Sequence, residues 1–558
     1  MIPGAVPRPS LALVSIVVLA LALRVAGLDF GLPLAEARPD EQTIAFQAMK
    51  FGRGDLNPHS FNYPSLFKYL TFALFGGDFA IGRVLGRFTG QEDFLRSFFA
   101  ADIEFRLLMR ALSAVMGTVG VALLARAPGR LWGSFFLAVS FLHVRDSHFG
   151  VTDITMVTLT TGAVLLAVEL QRRGALRMAV GAGLVAGLAT STKYNAALLA
   201  IPLVAAAWGA QGGGGLVWSG RARGKLAAAA LTAMIGGFLI GTPYALLDSG
   251  QFLTDFRYEM GHLAEGHYVD VGRGWMHHAT ATLPDAVGWP VYVLGAGAIL
   301  MSFFANFRLA LVLFSFPLVY YVAIGRGHTA FYRYMLPVVP FVCIGAGAFF
   351  DAVNLRFGRV GAVIMALLVA SPSIWRSVEA DRLFVAGDTR QAMGQWIEEN
   401  VPTNEVIVHA GAYTGAPMLQ RNVPNQTREF EAKAGRADAG GFRKPDEMKW
   451  YRAETPMYDV LFLRKLGIDF ASQLDVAEVL ANPPPWLEIE ASGLDFYSEV
   501  APEIQALAST RYELVHEEIA ADDPGKATFD QQDAFYMPTD GFGAFSRMGP
   551  NLRLYRRR

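Results

Sequence analysis

The sequence predicts a polytopic α-helical membrane protein with a C-terminal soluble α/β domain on its outer face, and three observations point there. Hydrophobic residues make up 53% of the 558-residue chain and charged ones 17%, with a mean hydropathy of +0.32, a balance foreign to soluble chains of this length. Apolar runs of near bilayer-spanning length recur through the first two-thirds of the chain. Beyond about residue 380 the runs stop and polar stretches such as 421–450 replace them. The division is therefore a membrane domain over 1–379, with a first outer loop at 28–105, and an extracytoplasmic domain over 380–558, long enough to bury its own core.

The runs fall at about 11–28, 106–124, 131–144, 152–170, 176–192, 194–209, 226–246, 287–304, 307–324, 335–352 and 360–376, which predicts about 11–13 spans once short and tilted segments are allowed for. The first is longer than a signal-peptide core and lacks a small-x-small end, so it reads as a retained span. The connectors ARAPGR (125–130), QRRGALR (171–177), SGRARGK (219–225), NFR (306–308) and NLRFGR (354–359) carry Arg or Lys and no acid, which assigns them to the cytoplasmic side. Residues 28–105, 145–151, the surroundings of Lys193, 247–286, 325–334 and everything after 377 then share the opposite side. A single crossing at 63–88 would reverse every later loop. With Lys68, Asp78 and Arg83 inside it, that segment reads as a juxtamembrane helix or re-entrant hairpin.

In the C-terminal domain DTRQAMGQWIEEN (388–400) has a helical pattern, EVIVHAG (405–411) reads as a strand, and YDVLFLRKLGIDFAS and the terminal NLRLYRRR read as further strand-rich pieces. ANPPPW is a loop, and GGGG at 212–215 is a flexible inner loop. The single cysteine, Cys343, sits in an apolar run and packs there, with no internal disulfide open to it. A net charge of −1 argues against a nucleic-acid partner.

Charges at one membrane face are the candidates for chemistry, because an ionisable group there is expensive unless it meets a cavity or a partner. Asp40 and Glu41 follow the first span. As Pro39-Asp40-Glu41 they suit a helix start, and they equally suit proton transfer to or from a lipid-held substrate. HVRDSHFGVTD places Arg145, Asp146, His148 and Asp153 at the mouth between two spans, where substrate contact and mutual pairing are both open. Lys193-Tyr194 ends one span and begins another. Arg333 stands between Tyr332 and Tyr334 before a Pro-marked span. Either cation alone reads as a snorkelling or interfacial anchor, but cations converging on one face suit an anionic headgroup, and arginine in particular suits phosphate. Tyr63 and Tyr69 either stack on a sugar or anchor the interfacial helix. The loop 247–286 holds Glu259, Glu265, His262, His267, His277 and His278. Glu259, His262 and His267 form a loose metal-ligand pattern without a tight pair such as HExxH, so no cofactor is required and a divalent metal stays open.

RPDE (38–41), DLNPHSFNYPSL (55–66), SHFGVTD (147–153), TKYNA (192–196), RYMLPVVPF (333–341) and GFGAFSRMGPNLRLY (541–555) run in an order that spans almost the whole chain. Together they resemble the polyprenyl-phosphate-sugar-dependent glycosyltransferases of the C-type (GT-C) superfold, in the protein mannosyltransferase and lipid A aminoarabinose transferase group. The resemblance implies a transmembrane catalytic domain whose first outer loop carries the catalytic acid, Asp40 before Glu41. It implies a donor sugar on a polyprenyl phosphate, and transfer to a glycan, lipid or protein acceptor hydroxyl outside the inner or cytoplasmic membrane. Lys193 and Arg333 map to phosphate binding, and Arg145, His148, Asp153, Tyr194, Tyr334 and Tyr63 to the wider substrate site. The C-terminal domain matches no acceptor-specific module. One carboxylate suffices chemically, since the leaving phosphate is already a stable anion, and direct displacement implies inversion at the sugar carbon. The rival class is a multi-span transporter of a lipid-linked or soluble anion, which repeat symmetry and mid-membrane broken helices would mark; neither is visible. A non-catalytic membrane scaffold is a third reading.

Overall fold

A computed structural model describes residues 10–100, 102–211, 219–422, 424–425, 456–463 and 473–558, with the side chains of 100, 262 and 263 outside the description. The expected GGGG loop, most of 421–450 and the second half of YDVLFLRKLGIDFAS lie outside these residues. The membrane domain is helical throughout. Its elements are α1 (Leu11–Val25), α2 (Pro39–Lys50), α3 (Leu66–Val84), α4 (Gln91–Ala100), α5 (Ile103–Leu124), α6 (Arg130–Ala138), α7 (Phe141–Asp146), α8 (Thr152–Arg173), α9 (Leu176–Thr190), α10 (Ala200–Trp208), α11 (Gly220–Gly241), α12 (Tyr244–Leu247), α13 (Ser249–Glu265), α14 (Gly274–His277), α15 (Leu283–Val287), α16 (Trp289–Ala305), α17 (Phe307–Ile324) and α18 (Val339–Val385). Local chemistry sets several starts: Ser10, Ser219 and Asn306 each accept a bond from a backbone N–H in the first turn that follows.

Every apolar run of the sequence falls in helix, but not one helix per run. Run 131–144 is broken into α6 and α7, while 335–352 and 360–376 are joined in α18 across a kink where Gly358 has φ 73°. Among the described residues five helical segments are long and apolar enough to cross a membrane, or six if the pair Gly274–Val287 and Trp289–Ala305, bent by 113°, is one span. Three shorter apolar helices, Leu11–Val25, Leu176–Thr190 and Tyr194–Trp208, accompany them. The expected 11–13 spans are thus a count of apolar runs. A 15-residue helix reaches only about 22 Å of a roughly 30 Å hydrocarbon layer. Close backbone contact holds the bundle where α9 meets α11: a Cβ on Gly187 would lie 2.1 Å from the Met234 carbonyl oxygen.

Both ends of segment 63–88 are held at the same end of the bundle. Its start is tied to the end of α9 by the Leu66 N–H bond to the Ser191 oxygen (3.1 Å). Its far end is tied to the start of α5, where Arg87 bridges Asp78 and Glu104 and Phe75 packs on Phe105 at 5.1 Å. The chain just beyond α1 meets the next turn of α5, since Arg110 donates to the carbonyls of Leu28 and Phe30, both at 2.8 Å. The chain therefore leaves and re-enters the bundle at one end, and α3 lies across that end on a packed aromatic layer that includes Phe46, Phe94, Phe98 and Phe105.

The C-terminal domain is α/β. After α19 (Thr389–Asn400) come β1 (Val406–Ala410), β2 (Gln420–Arg421), β3 (Met457–Leu463), β4 (Gln473–Leu474), β5 (Trp486–Ala491), β6 (Tyr512–Glu518) and β7 (Asn551–Arg557). The sheet order is β2-β3-β1-β5-β7-β6, with β4 on β3. β1 pairs in parallel with β3 and β5, and β7 runs antiparallel to β5 and β6. The 519–550 connection between β6 and β7 leaves the sheet and packs on the membrane domain: Phe535, Tyr536, Met537, Phe542 and Phe545 share one hydrophobic core with Phe30, Leu34, Phe141 and Phe149. Cys343 is buried and free, as its apolar run implied.

Candidate functional site at one end of the bundle

The first turn of α2 carries Asp40 and Glu41 just after Pro39, with Arg38 as the residue before the helix. Neighbouring positions on a helix point in different directions, and here the two carboxylates separate completely. Glu41 turns inward and is fully buried. Arg110 donates to it from Nε (3.0 and 3.1 Å) and Nη2 (2.8 Å), and the Gly150 N–H donates at 2.7 Å. That approach needs glycine at 150, because a Cβ there would sit 2.7 Å from the Met109 Cβ. Both Glu41 oxygens are thus engaged, so the residue expected beside Asp40 as a second catalytic acid ties the first loop to α5 and to the 147–153 motif. Asp40 turns outward, its side chain 34% exposed, with the Arg333 guanidinium 3.3 Å away.

Arg333 comes from the 3-10 turn Tyr332–Val338 that leads into α18, and its guanidinium lies 4.5 Å from the Phe331 ring centroid. Its Nη1 is also 3.6 Å from Asp533 of the C-terminal domain. Asp153, in the first turn of α8, meets Lys193 at 2.6 Å, and the same ammonium lies 5.2 Å from the Tyr334 ring centroid. Tyr63 and Glu259 join this group. Asp40 first, then burial, pushes the Tyr63 hydroxyl well above its ordinary value, with Asp153 and Glu259 adding to the effect and Arg333 opposing it. Burial raises the Glu259 carboxyl to about 7, Lys193 opposing and Asp40 and Asp255 reinforcing it. Five stretches far apart in the chain, around 40, 63, 153, 193 and 333, are gathered with α13 at one end of the bundle.

Other expected site residues stand elsewhere. His148 is fully buried, its ring nitrogens at 3.0 Å from the carbonyls of Val144 and Ala26, and it stacks on Phe384 at 4.4 Å. It is a packing residue and a substrate contact would require the bundle to open. Arg145 is buried and bonds Asp146 at 2.9 Å. The Tyr194 hydroxyl donates to the Phe61 carbonyl at 2.7 Å and so holds the 55–66 stretch, which Asp255 secures by accepting from the Phe61 N–H at 2.7 Å. Tyr69 donates to the Leu56 carbonyl, an anchoring contact. Of the possible metal ligands, Glu259 belongs to the cluster above, His267 packs at a tilt against the rings of Tyr268 and Phe331, and the side chain of His262 is outside the described residues. Among those described, no three His, Cys, Asp or Glu side chains gather as ligands.

Arg38, Arg110, Asp530, Gln532 and Asp533 were not singled out in the sequence. Arg38 was visible inside RPDE, but the carboxylates beside it drew the attention. The 530–533 stretch carries no motif.

Neither a family model nor a curated protein sequence matches this chain. Solved structures do resemble it. ArnT from Cupriavidus metallidurans bound to undecaprenyl phosphate is 15% identical, over 90% of this chain and 96% of that one, with a TM-score of 0.49. The same protein without ligand is 14% identical over 90% and 95%, with a TM-score of 0.47. The oligosaccharyltransferase of Archaeoglobus fulgidus, in its apo form, is 15% identical over 70% and 58%, with a TM-score of 0.43.

Proposed function

We propose that this integral membrane protein is an inverting glycosyltransferase of the C-type superfold that moves a sugar from a polyprenyl-phosphate donor to an acceptor hydroxyl at the extracytoplasmic face. The observation that carries this reading is the Asp40–Arg333 pair: a partly exposed carboxylate and a guanidinium, 3.3 Å apart, at the membrane end where Lys193 and Asp153 also meet.

Asp40 is the base. An acceptor hydroxyl gains nucleophilicity only as it loses its proton, and one positioned carboxylate can accept it. The hydroxyl oxygen forms its bond to the anomeric carbon as the carbon–oxygen bond to phosphate breaks, the bonding pair leaving with the phosphate. That departing charge needs a cation, and a guanidinium binds phosphate oxygens in pairs. Arg333 and Lys193 supply it, each trading a carboxylate partner, Asp40 or Asp153, for phosphate. Asp153 holds the lysine in place, while Tyr63 and Tyr334 offer ring faces to the sugar. Basic connectors on the opposite side support an extracytoplasmic position for this end, and the carrier's hydrocarbon tail stays among the exposed apolar helix faces.

The test is turnover by purified protein in proteoliposomes with a panel of polyprenyl-phosphate sugars and hydroxyl acceptors. The expected result is product of inverted anomeric configuration from wild type and a rate roughly 10²–10⁴-fold lower from Asp40→Asn, which still binds polyprenyl phosphate. Full activity of Asp40→Asn, or retained configuration, overturns the assignment. Uptake of a soluble anion with no transfer would make the chain a transporter.

A further inference from the structure

Among the described residues, the C-terminal domain reaches the site through the short turn at 530–533. In that turn the Asp533 N–H donates to the Asp530 carbonyl at 3.1 Å, and Asp530 in turn accepts from the Tyr332 N–H at 2.8 Å. Between them Gln532 accepts from the Ala330 N–H at 2.6 Å and donates to the carbonyls of Val269 (2.7 Å) and His328 (2.9 Å). The Tyr497 hydroxyl holds the Gln532 carbonyl at 3.1 Å. The turn is thus bolted to the backbone just ahead of Arg333, at 328, 330 and 332, and to Val269 of the 247–286 loop. This fixes where the next carboxylate, that of Asp533, stands.

Asp533 meets two cations. Arg38 Nη1 donates to both of its oxygens at 3.0 and 3.1 Å while the guanidinium lies over the rings of Phe149 (4.6 Å) and Phe535 (5.7 Å). Arg333 Nη1 approaches at 3.6 Å, nearly the distance it keeps from Asp40. Burial works against the charge on Asp533, but Arg38, Arg333 and Arg145 outweigh it and hold the carboxyl well below the ordinary range, whereas burial beside Asp533 raises Asp530 to about 7. The anion that faces the two arginines is therefore Asp533.

We infer that Asp533 is a positioning residue for the reaction proposed above, sharing Arg333 with Asp40 so that neither the base nor the phosphate-binding cation is locked in the other. The inference rests on that reading of the site. A guanidinium committed wholly to Asp40 would lower its affinity for the acceptor proton and would have to break a full ion pair to reach the phosphate. A second, immobile carboxylate divides the guanidinium's attraction. Arg38, two residues before Asp40, keeps that second carboxylate in register with the start of α2. The C-terminal domain thereby contributes a side chain to the site.

The experiment compares wild type with Asp533→Asn, Asp533→Glu and Arg38→Gln in the full-length protein, measuring undecaprenyl phosphate binding and the pH dependence of turnover. Removing the Asp533 charge lets Arg333 close on Asp40, so in Asp533→Asn kcat falls tenfold or more and the acid limb of kcat/KM moves to lower pH. Donor KM does not rise, and Asp533→Glu recovers part of the rate. Arg38→Gln has the opposite sign: Asp533, released from Arg38, draws Arg333 away from Asp40, the acid limb moves up, and undecaprenyl phosphate binds several-fold more weakly. The opposite displacement is read from Arg38→Gln even where the Asn variant is not recovered folded. Wild-type pH limbs and undecaprenyl phosphate affinity in the folded variants overturn the positioning role while leaving the proposed function standing. A wild type that transfers no sugar from any polyprenyl phosphate overturns both.

Discussion

Two adjacent acids on one helical turn are assigned opposite duties, and substitution to the isosteric amide separates them. Glu41 and Arg110 are both fully buried, and the carboxylate takes three contacts from the guanidinium plus the Gly150 N–H at 2.7 Å. In Glu41→Gln the negative charge is lost and one oxygen becomes an amide donor facing other donors, so Arg110 keeps one neutral side-chain acceptor beside the carbonyls of Leu28 and Phe30. Breaking a buried pair from one side costs about 3–5 kcal/mol, because the remaining charge stays desolvated. Asp40 makes one 3.3 Å contact and is one-third exposed, so Asp40→Asn costs about 0–1 kcal/mol. Expression, monodispersity and thermal melting in detergent should therefore collapse for the Gln variant and stay near wild type for the Asn variant. Turnover reverses the ranking per folded molecule, with Asp40→Asn losing roughly 10²–10⁴-fold, the range for a removed general base. A Glu41→Gln protein that melts like wild type yet transfers nothing would move the base to Glu41 and refute the division of roles.

Three further outcomes follow from the same contacts. Lys193→Met leaves Asp153 without its 2.6 Å partner and should weaken polyprenyl phosphate binding about 10–100-fold, the scale of one charge-assisted contact; adding Asp153→Asn should restore the melting temperature but not the binding. Glu259, raised to about 7 by burial against the pull of Lys193, gains its negative charge as pH rises through 7 and then repels the anionic donor, so donor KM should climb across that pH in wild type and stay flat in Glu259→Gln. In the C-terminal domain, burial lowers His409 but Glu488 at 2.8 Å outweighs it and the folded value reaches about 10. A raised value stabilises the fold fully below the ordinary 6.5 and loses that contribution as pH rises toward 10; melting temperature should fall between those limits in wild type and not in His409→Gln.

The helical bundle was legible because a bilayer demands unbroken apolar length, a property any window of the sequence displays. What a window cannot display is whether an apolar run stays straight. Run 131–144 bends at Val139, and 335–376 kinks at Gly358, within NLRFGR, where the backbone leaves helical geometry between two helical stretches. The reading of 63–88 came from charge bookkeeping over distant loops and from Lys68, Asp78 and Arg83 within the segment, and the structure adds that its Phe75 packs on Phe105 of α5. Strand assignments in the C-terminal domain held for β1, for β3 over the described part of YDVLFLRKLGIDFAS, and for β7, because the apolar pattern that marks a strand is local.

The site was legible only as far as chemistry is local. An ionisable residue at the membrane edge looks the same in sequence whether it faces a substrate or a buried partner. Hence Asp40 and Glu41, or Asp153 and His148, could not be told apart until α5 and Phe384 came to cover one of each. The Asp533 contact lay further out of reach, because Arg38 and Asp533 are 495 residues apart and the pair is made by the turn between β6 and β7, whose own sequence carries no signature. A carboxylate whose place depends on three backbone bonds to Gln532 and one to Asp530 is specified by the docking of two domains. The consequence for function is physical. Under the proposed roles, any shift of the C-terminal domain against the bundle changes how Arg333 is divided between Asp40 and Asp533, so the domain that matches no acceptor module would still bear directly on Asp40, the proposed base.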